Sequence, residues 1–494
     1  MTRSDSRQQR RHHDPQRLSR LISSPTAHWN RKGRITEDLQ VSQGGLNTQS
    51  SGINGANYPL FSPSIRDICT TDIQQGSTLL KRLNDISALT KLTKQYVQLQ
   101  SHVNPIPAFL AQTVIASLEE EPSIEKMSTG DQLAKSIMIT GNTCRELDLG
   151  IYISPDSLCK RFTGPALRWE TLGLLFTWAT LALLHSPVDD RVAANFIATQ
   201  GTNKASCVST MMHSSNLCIS LCKEYAPANE VLLWLLHESL ALTAQFYGDY
   251  SHQTWQRLGD LATEALDPTI VKFGAGNLSV PFFLAQSRSK IIASAYWIDK
   301  SLASFQGQIP RIPYLPQDFE IPLDMDDGAL LAEGFPRSKS LQSCSSERNQ
   351  SESPCPATYI RARYILGGFR DELLRLSHAV STVNRLPKLN DLSWRYRATW
   401  LEMPNNLHYK DTDQVEAMPY MTSFPQLLLF LDFLQGEYLI YKEISNIIES
   451  MRPQLLWHCK RTLNIVISLF ASPKMRAQTS PLERIRVVSF LSTI

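Results

Sequence analysis

Apolar side chains recur along this chain at intervals of three and four residues, the spacing that places them on one face of an α-helix. Three such stripes consist of Leu89, Leu92, Tyr96 and Leu99; of Trp255, Leu258, Ala262 and Ala265; and of Ile291, Ala295, Ile298, Leu302 and Phe305. No segment alternates apolar and polar residues convincingly over the length of a strand. The pattern therefore predicts an all-α fold with one large multi-helix domain.

Two segments, residues 166–184 and 228–247, are apolar nearly all round, which is typical of a helix buried in the centre of a fold. The longest apolar run covers residues 171–184, shorter than the roughly 20 residues that a membrane-spanning helix needs. We therefore predict buried helices and no membrane span. Gly248 supplies the left-handed conformation that commonly closes a helix, and Ser251 is placed to cap the next one.

Two polar stretches divide the chain. Residues 33–77 are rich in Ser, Gly, Gln and Asn, and residues 337–356 in Ser, Glu and Gln. Such segments bury too little apolar surface to offset their conformational entropy. We predict a disordered N-terminal region at 1–76, a helical domain at 77–335, a Ser-rich linker or loop at 336–356 and a helical continuation of the same domain at 357–494.

Charge is distributed unevenly. Residues 1–34 carry nine Arg or Lys against two Asp, a net charge of +7, whereas the whole chain has +3. A basic arm on a slightly acidic body suits nuclear import or contact with phosphates, and the residues we assign to that role are Arg10, Arg11, Arg31, Lys32 and Arg34. A merely solvated tail and a mitochondrial presequence remain alternatives.

The nine cysteines are scattered and include no C-x-x-C pair. This spacing excludes a binuclear zinc cluster, which needs six closely spaced thiolates, and it favours a reducing compartment. Cys218 and Cys222 share a helix face with His213 nearby, but two thiols in an apolar helix are expected to be small core residues. His237-Glu238 begins like a zinc-protease helix, yet position 241 is alanine, so the second imidazole is missing.

Acidic clusters in a helical chain invite comparison with metal-dependent terpene cyclases, whose carboxylates hold magnesium. The available groups are Asp189, Asp190, Asp324, Asp326 and Asp327. The first pair lacks a third carboxylate one turn on, and the second set lies in a Pro-bounded loop, so we expect loop and cap roles. No phosphate-binding loop, nucleophile elbow or kinase set is present. We predict no catalytic residues, no cofactor and no metal.

A collinear series of residues runs through the middle of the chain. Its members are Gly248, Asp249, Ser251, Trp255 and Gly259, then Pro281, Phe282 and Phe283, then Asp299 and Lys300 followed by Ser-Leu-Ala, then Gly307 and Pro310. Their order and spacing resemble the middle homology region of fungal zinc-cluster transcription factors. Residues 162–176, 361–364 and 400–407 extend the resemblance to roughly 77–470, whereas the multi-arginine step of the family is reduced at 286–290.

The resemblance implies a nuclear regulator of RNA polymerase II transcription, with the transcription machinery or other regulators as partners. Because the family's zinc cluster is absent, it implies only weak, non-specific DNA contact through the basic arm. Either the protein regulates without binding DNA itself, or the sequence is a shortened form. A homodimer and a small-molecule effector are left open. The competing interpretations are a helical scaffold without a transcriptional role and, third, a cyclase-type enzyme.

Overall fold

Sixteen α-helices make up the described part of the chain, and these residues contain no β-strand, so the predicted all-α class is confirmed. The computed structural model describes residues 68–83, 86–100, 104–120, 127–150, 153–187, 189–270, 280–315, 319–331, 354–379, 384–409 and 420–471. Arg10, Arg11, Arg31, Lys32 and Arg34 lie outside these ranges, as does most of the predicted loop at 336–356.

The helices are α1 (Thr70–Lys81), α2 (Ile86–Gln100), α3 (Ala108–Glu119), α4 (Thr129–Thr143), α5 (Pro155–Cys159), α6 (Trp169–His185), α7 (Arg191–Thr199), α8 (Lys204–Tyr225), α9 (Glu230–Tyr247), α10 (His252–Ala265), α11 (Phe282–Gln306), α12 (Asp327–Leu330), α13 (Pro356–His378), α14 (Arg385–Glu402), α15 (Tyr420–Ile447) and α16 (Arg452–Ala471). Short 3₁₀ turns cover Gly164–Ala166, Asn405–Leu407 and Glu449–Met451. None of the described helices is long and apolar enough to cross a membrane.

Helix α6 lies at the centre of the larger bundle. Every residue in it except Leu184 is buried, as its apolar sequence predicts. Helices α2, α8 and α9 pack around it, and its most extensive contact is with α8. We hypothesise from the sequence that the helices at 228–305 form the core of the body. Helix α9 of that range is largely buried and packs on α6, whereas α10 has a polar outer face.

The first described helix begins earlier than expected. We placed the end of the polar N-terminal region at residue 76, but α1 already starts at Thr70. Its first turns are polar and face solvent, so only Leu79 and Leu80 marked a buried face in the sequence. Gly76 belongs to that face as well. A Cβ there would collide with the Ser136 hydroxyl of α4 and lie 2.6 Å from the Trp169 ring, so this glycine allows α1 to pack close to α4 and against the Trp169 side chain.

Helices α13 to α16 form a second bundle around stacked aromatic rings. The rings of Trp400 and Phe433 lie 4.4 Å apart and nearly parallel, and the Tyr396 ring lies 5.1 Å from Phe433. Helix α11 joins the two bundles by packing along α13. The backbones approach closely at Gly367, where a Cβ would lie 3.3 Å from the Trp297 Cα.

Candidate functional site

The two halves of the motif series meet in the structure. We call this region the motif junction: residues 248–259, which comprise the turn before α10 and most of α10, and residues 299–313, which comprise the end of α11 and the turn after it. The Gln306 side-chain amide donates a hydrogen bond to the Asp249 carbonyl at 2.7 Å. The Arg311 guanidinium lies over the Trp255 ring, 4.6 Å from its centroid. Segments about 40 residues apart in the sequence thus form one local structure.

Asp299 and Lys300 hold the turn after α11 in place. The Asp299 carboxylate accepts hydrogen bonds from the backbone N–H of Arg311 at 2.8 Å and of Ile312 at 3.0 Å. The Lys300 ammonium donates to Asp299 at 2.8 Å and to the Ile312 carbonyl, and lies 3.5 Å from the Asp371 carboxylate on α13. Both side chains are fully buried. One buried pair therefore fixes the turn to α11 and α11 to the second bundle.

The glycines and serine of the series have separate roles. Gly248 ends α9 with φ of 91° and ψ of 155°, so the predicted positive φ is present but the backbone is extended rather than left-handed helical. Gly307 ends α11 in the left-handed helical conformation. Ser251 caps α10, because its hydroxyl accepts from the Thr254 N–H at 3.1 Å. Gly259 faces Arg311, and a Cβ there would lie 3.0 Å from the Arg311 guanidinium.

The segment Pro281-Phe282-Phe283 of the series lies apart from the motif junction. Pro281 is the N-terminal cap of α11, and Phe283 packs edge-on against Phe109 with ring centroids 6.1 Å apart. Phe282 is partly buried against the same core. At a rise of about 1.5 Å per residue, roughly 25 Å of helix separates Phe282 from Asp299. Pro310 lies half-buried in the turn itself.

Buried charges along α11 were not foreseen from the sequence. Arg288 forms an ion pair with Glu230 on α9, and Lys290 pairs with Asp327 on α12 at 2.7 Å. Burial lowers the pKa of Arg288 to about 10. The resemblance identifies residues 286–290 only as a reduced form of the family's multi-arginine segment. A charged residue on the buried side of an apolar helix predicts that a partner is present, but not which residue it is.

A cleft of about 610 Å³ opens beside the motif junction. Its walls come from α8, the end of α9, the outer face of α10 and the turn after α11, and they include Met212, Lys223, Tyr247, Arg257, Asp260 and Arg311. No sequence pattern indicated it, because its lining is drawn from four separate elements.

Glu264 lies in the interior near the start of α6. Its carboxylate accepts a hydrogen bond from the Asn229 N–H at 2.8 Å. Burial raises the pKa of Glu264 to about 7, and the negative charges of Asp267 and Glu170 add to the rise. The hydrogen bond from Asn229 lowers the pKa but does not offset burial. Arg168, the nearby cation, is engaged with Glu170 at 2.8 Å.

The remaining candidates from the sequence have structural roles. Asp190 and Asp326 cap α7 and α12, while Asp324 accepts from the Thr358 hydroxyl at 2.6 Å. Glu238 accepts hydrogen bonds from three buried or half-buried side chains, those of Tyr96, Trp178 and Asn104.

The cysteine candidate behaves as a pair of core residues. Cys218 and Cys222 are fully buried, and burial raises the pKa of both thiols. His213 is exposed. Within the described ranges no group of three His, Cys, Asp or Glu side chains is arranged to hold a metal ion.

Comparison with protein-family models, curated proteins and solved structures finds no match to the chain. The resemblance to the middle homology region therefore rests on the motif series alone, and the transcriptional role stays a prediction.

Proposed function

We propose that this chain is a helical regulatory body of the fungal transcription-factor type, which acts in the nucleus and modulates RNA polymerase II transcription. The observation that carries the proposal is the convergence at the motif junction. Asp299 and Lys300 hold the turn that places Arg311 on Trp255 and against Gly259. Residues matched to the family only by order and spacing thus lie in one local structure, joined through Arg311, as expected if the series is inherited as one structural unit.

The motif junction also links the two bundles, since Lys300 reaches Asp371 on α13. On this proposal, α11 transmits contacts made by one bundle to the other. The body then influences transcription through partner contacts, and the basic arm contributes import or weak contact with DNA phosphates, a salt-sensitive and non-specific interaction.

The test is to fuse the full chain to a foreign DNA-binding domain and measure a reporter gene carrying its site. We expect reporter output to change at least severalfold relative to the DNA-binding domain alone, at equal nuclear abundance of the two proteins. An unchanged reporter with the fusion abundant in the nucleus contradicts the proposal. If the silent fusion also purifies in a stable protein complex, the scaffold interpretation replaces it.

A further inference from the structure

The cleft beside the motif junction has the size of a small-molecule site. Ligand-binding clefts commonly enclose about 300 to 1,000 Å³, and this one encloses about 610 Å³. It is bounded by helices α8, α9 and α10, which pack on the buried centre of the larger bundle, and by the pinned turn after α11. Its walls are therefore held in place without a ligand.

The cleft carries an excess of positive charge. Three cations line it, Lys223, Arg257 and Arg311, against the single carboxylate of Asp260. Asp260 is shared, because Lys223 forms an ion pair with it and the Arg257 guanidinium lies 3.1 Å from its other oxygen. The charged lining thus has a net charge of +2, which two negative charges of a ligand would balance.

Arg311 is oriented for binding an anion. Its backbone N–H is held by Asp299 and its guanidinium lies over Trp255. The Arg311 guanidinium donates no hydrogen bond to a described residue and forms no ion pair with one. An arginine fixed through its face keeps its N–H edge available, and this fork matches the two oxygens of a carboxylate or phosphate.

Arg257 adds a second indication. Its side chain is only 13% exposed, and its guanidinium donates to Asn216 at 2.9 Å while its Nε–H is buried without an acceptor among the described residues. Burial lowers the pKa of Arg257, and Asp260 opposes this. Because Asp260 also pairs with Lys223, its carboxylate does not fully neutralise the buried Arg257 guanidinium.

The cleft includes an exposed aromatic ring. Tyr247 at the end of α9 is 44% exposed, whereas Met212 and Ile219 of α8 lie behind the surface, 3% and 1% exposed. Apolar surface next to clustered cations favours an organic anion over a bare inorganic one, since the organic part gains from leaving water.

We propose that this cleft binds a small organic anion with two negative charges, carboxylate or phosphate, whose charged end is held by Arg311, Arg257 and Lys223 and whose apolar part lies against Tyr247. Such a ligand ties α8 and α10 to the turn after α11. Its regulatory meaning rests on the proposed function, whereas the binding itself does not.

The test is calorimetric titration of the purified full chain at low ionic strength with four probes: phthalate, phenyl phosphate, inorganic phosphate and neutral benzyl alcohol. We expect 1:1 binding of phthalate or phenyl phosphate that weakens with added salt. Binding of phthalate alone identifies a carboxylate ligand, and binding of phenyl phosphate alone a phosphate ester. Absence of binding by both, or equal affinity for benzyl alcohol or inorganic phosphate, overturns the proposal.

The variant Arg311→Gln is expected to weaken the binding by on the order of tenfold or more, since a hydrogen bond to a charged group contributes about 1.5 to 3 kcal/mol. Lys223→Gln, on the opposite wall, provides a second variant should Arg311→Gln lower the melting temperature. Arg452→Gln, which removes an exposed arginine of α16 outside the cleft lining, is the matched control. Unchanged affinity in both cleft variants overturns the site, whatever the reporter experiment gives.

Discussion

Helices α6 and α11 are both central, yet they are buried in different ways. Helix α6 is largely apolar after Glu170 in its first turn, and Thr180 satisfies its hydroxyl within the helix by donating to the Phe176 carbonyl at 2.6 Å. Helix α11 instead carries four buried charged side chains, Arg288, Lys290, Asp299 and Lys300. Each is paired with a group from another element or, for Lys300, also with its neighbour.

The two kinds of burial affect the fold in different ways. Burying apolar surface stabilises α6 at about 25 cal/mol per Å² but is non-directional. A buried ion pair adds little net stability, whereas losing one partner is costly. The pairs of α11 therefore act mainly on position: they determine where α9, α12, α13 and the turn at 307–313 lie. If this holds, small polar changes in α11 cost more than comparable changes in α6.

The largest expected effect is that of Asp299→Ala. It removes the acceptor of the Arg311 and Ile312 N–H groups and leaves the fully buried Lys300 ammonium with only its weaker partners. Breaking a buried pair in this way costs about 3 to 5 kcal/mol. We expect a loss of that size in the free energy of unfolding, measured by urea denaturation.

Two variants complete that comparison. Thr180→Val in α6 removes a hydroxyl that donates within its own helix and is expected to cost about 1 kcal/mol. Asp391→Ala removes an exposed carboxylate that pairs with Arg395 four residues on, and such pairs contribute about 0 to 1 kcal/mol. Should Asp299→Ala be no more damaging than either, the positional role of the α11 charges is wrong.

The same contrast explains how far the sequence predicted the structure. The stripes of α2, α10 and α11 and the caps at Gly248 and Ser251 depend on near neighbours, so their spacing was sufficient. The partners of α11 were not predictable, because Glu230 and Asp371 lie 58 and 71 residues away from Arg288 and Lys300. The cleft shares this limit, since its lining comes from four elements.

The motif series is an intermediate case. It marked Gly259, Asp299 and Gly307 as special before any contact was known, because their order and spacing resemble a family pattern. It did not reveal that Gly259 adjoins Arg311, a residue outside the series. Likewise, the sequence places the start of α1 too late, because its first turns are polar and Gly76, which faces Trp169, has no side chain to mark a buried position.

Glu264 offers a second way to test the comparison. In α11 each buried charge has a partner, but near α6 Arg168 pairs with Glu170, and Glu264 is left with a backbone hydrogen bond from Asn229. Its pKa is raised from 4.5 to about 7. A carboxyl whose folded pKa exceeds its unfolded value favours the folded state fully below pH 4.5, and this contribution is lost as the pH rises through about 7.

We therefore expect Glu264→Gln, which stays neutral, to gain in stability relative to the unmodified chain between pH 5 and pH 8. The shift sets an upper limit of about 3 kcal/mol for that gain. Urea denaturation at the two pH values measures it, and ¹³C NMR titration of the Glu264 carboxyl checks the cause directly. A difference that is constant with pH would show that Glu264 is ionised in the fold at both values.

The two glycines at the ends of the first motif segment give opposite expectations. Gly248 has open space around its missing Cβ but a φ of 91° and a ψ of 155°, so Gly248→Ala is strained by its backbone alone and is expected to cost about 1 to 3 kcal/mol. Gly259 is the reverse case. It lies inside α10, where alanine gains about 0.5 to 1 kcal/mol in helix propensity, and its new Cβ meets only the mobile end of Arg311.

Gly259→Ala is therefore expected to leave the melting temperature unchanged or raise it slightly, while displacing the Arg311 guanidinium from Trp255 and weakening the binding of phthalate or phenyl phosphate. Thermal unfolding and calorimetry on the same samples separate the two effects, with Gly248→Ala as the matched glycine variant that does not touch Arg311. If Gly259→Ala destabilises the chain more than Gly248→Ala, the guanidinium is held rigidly against α10. In that case Arg311 belongs to the fixed framework of the junction, as Asp299 does, and weaker binding by Gly259→Ala would reflect altered packing of α10 rather than a displaced guanidinium.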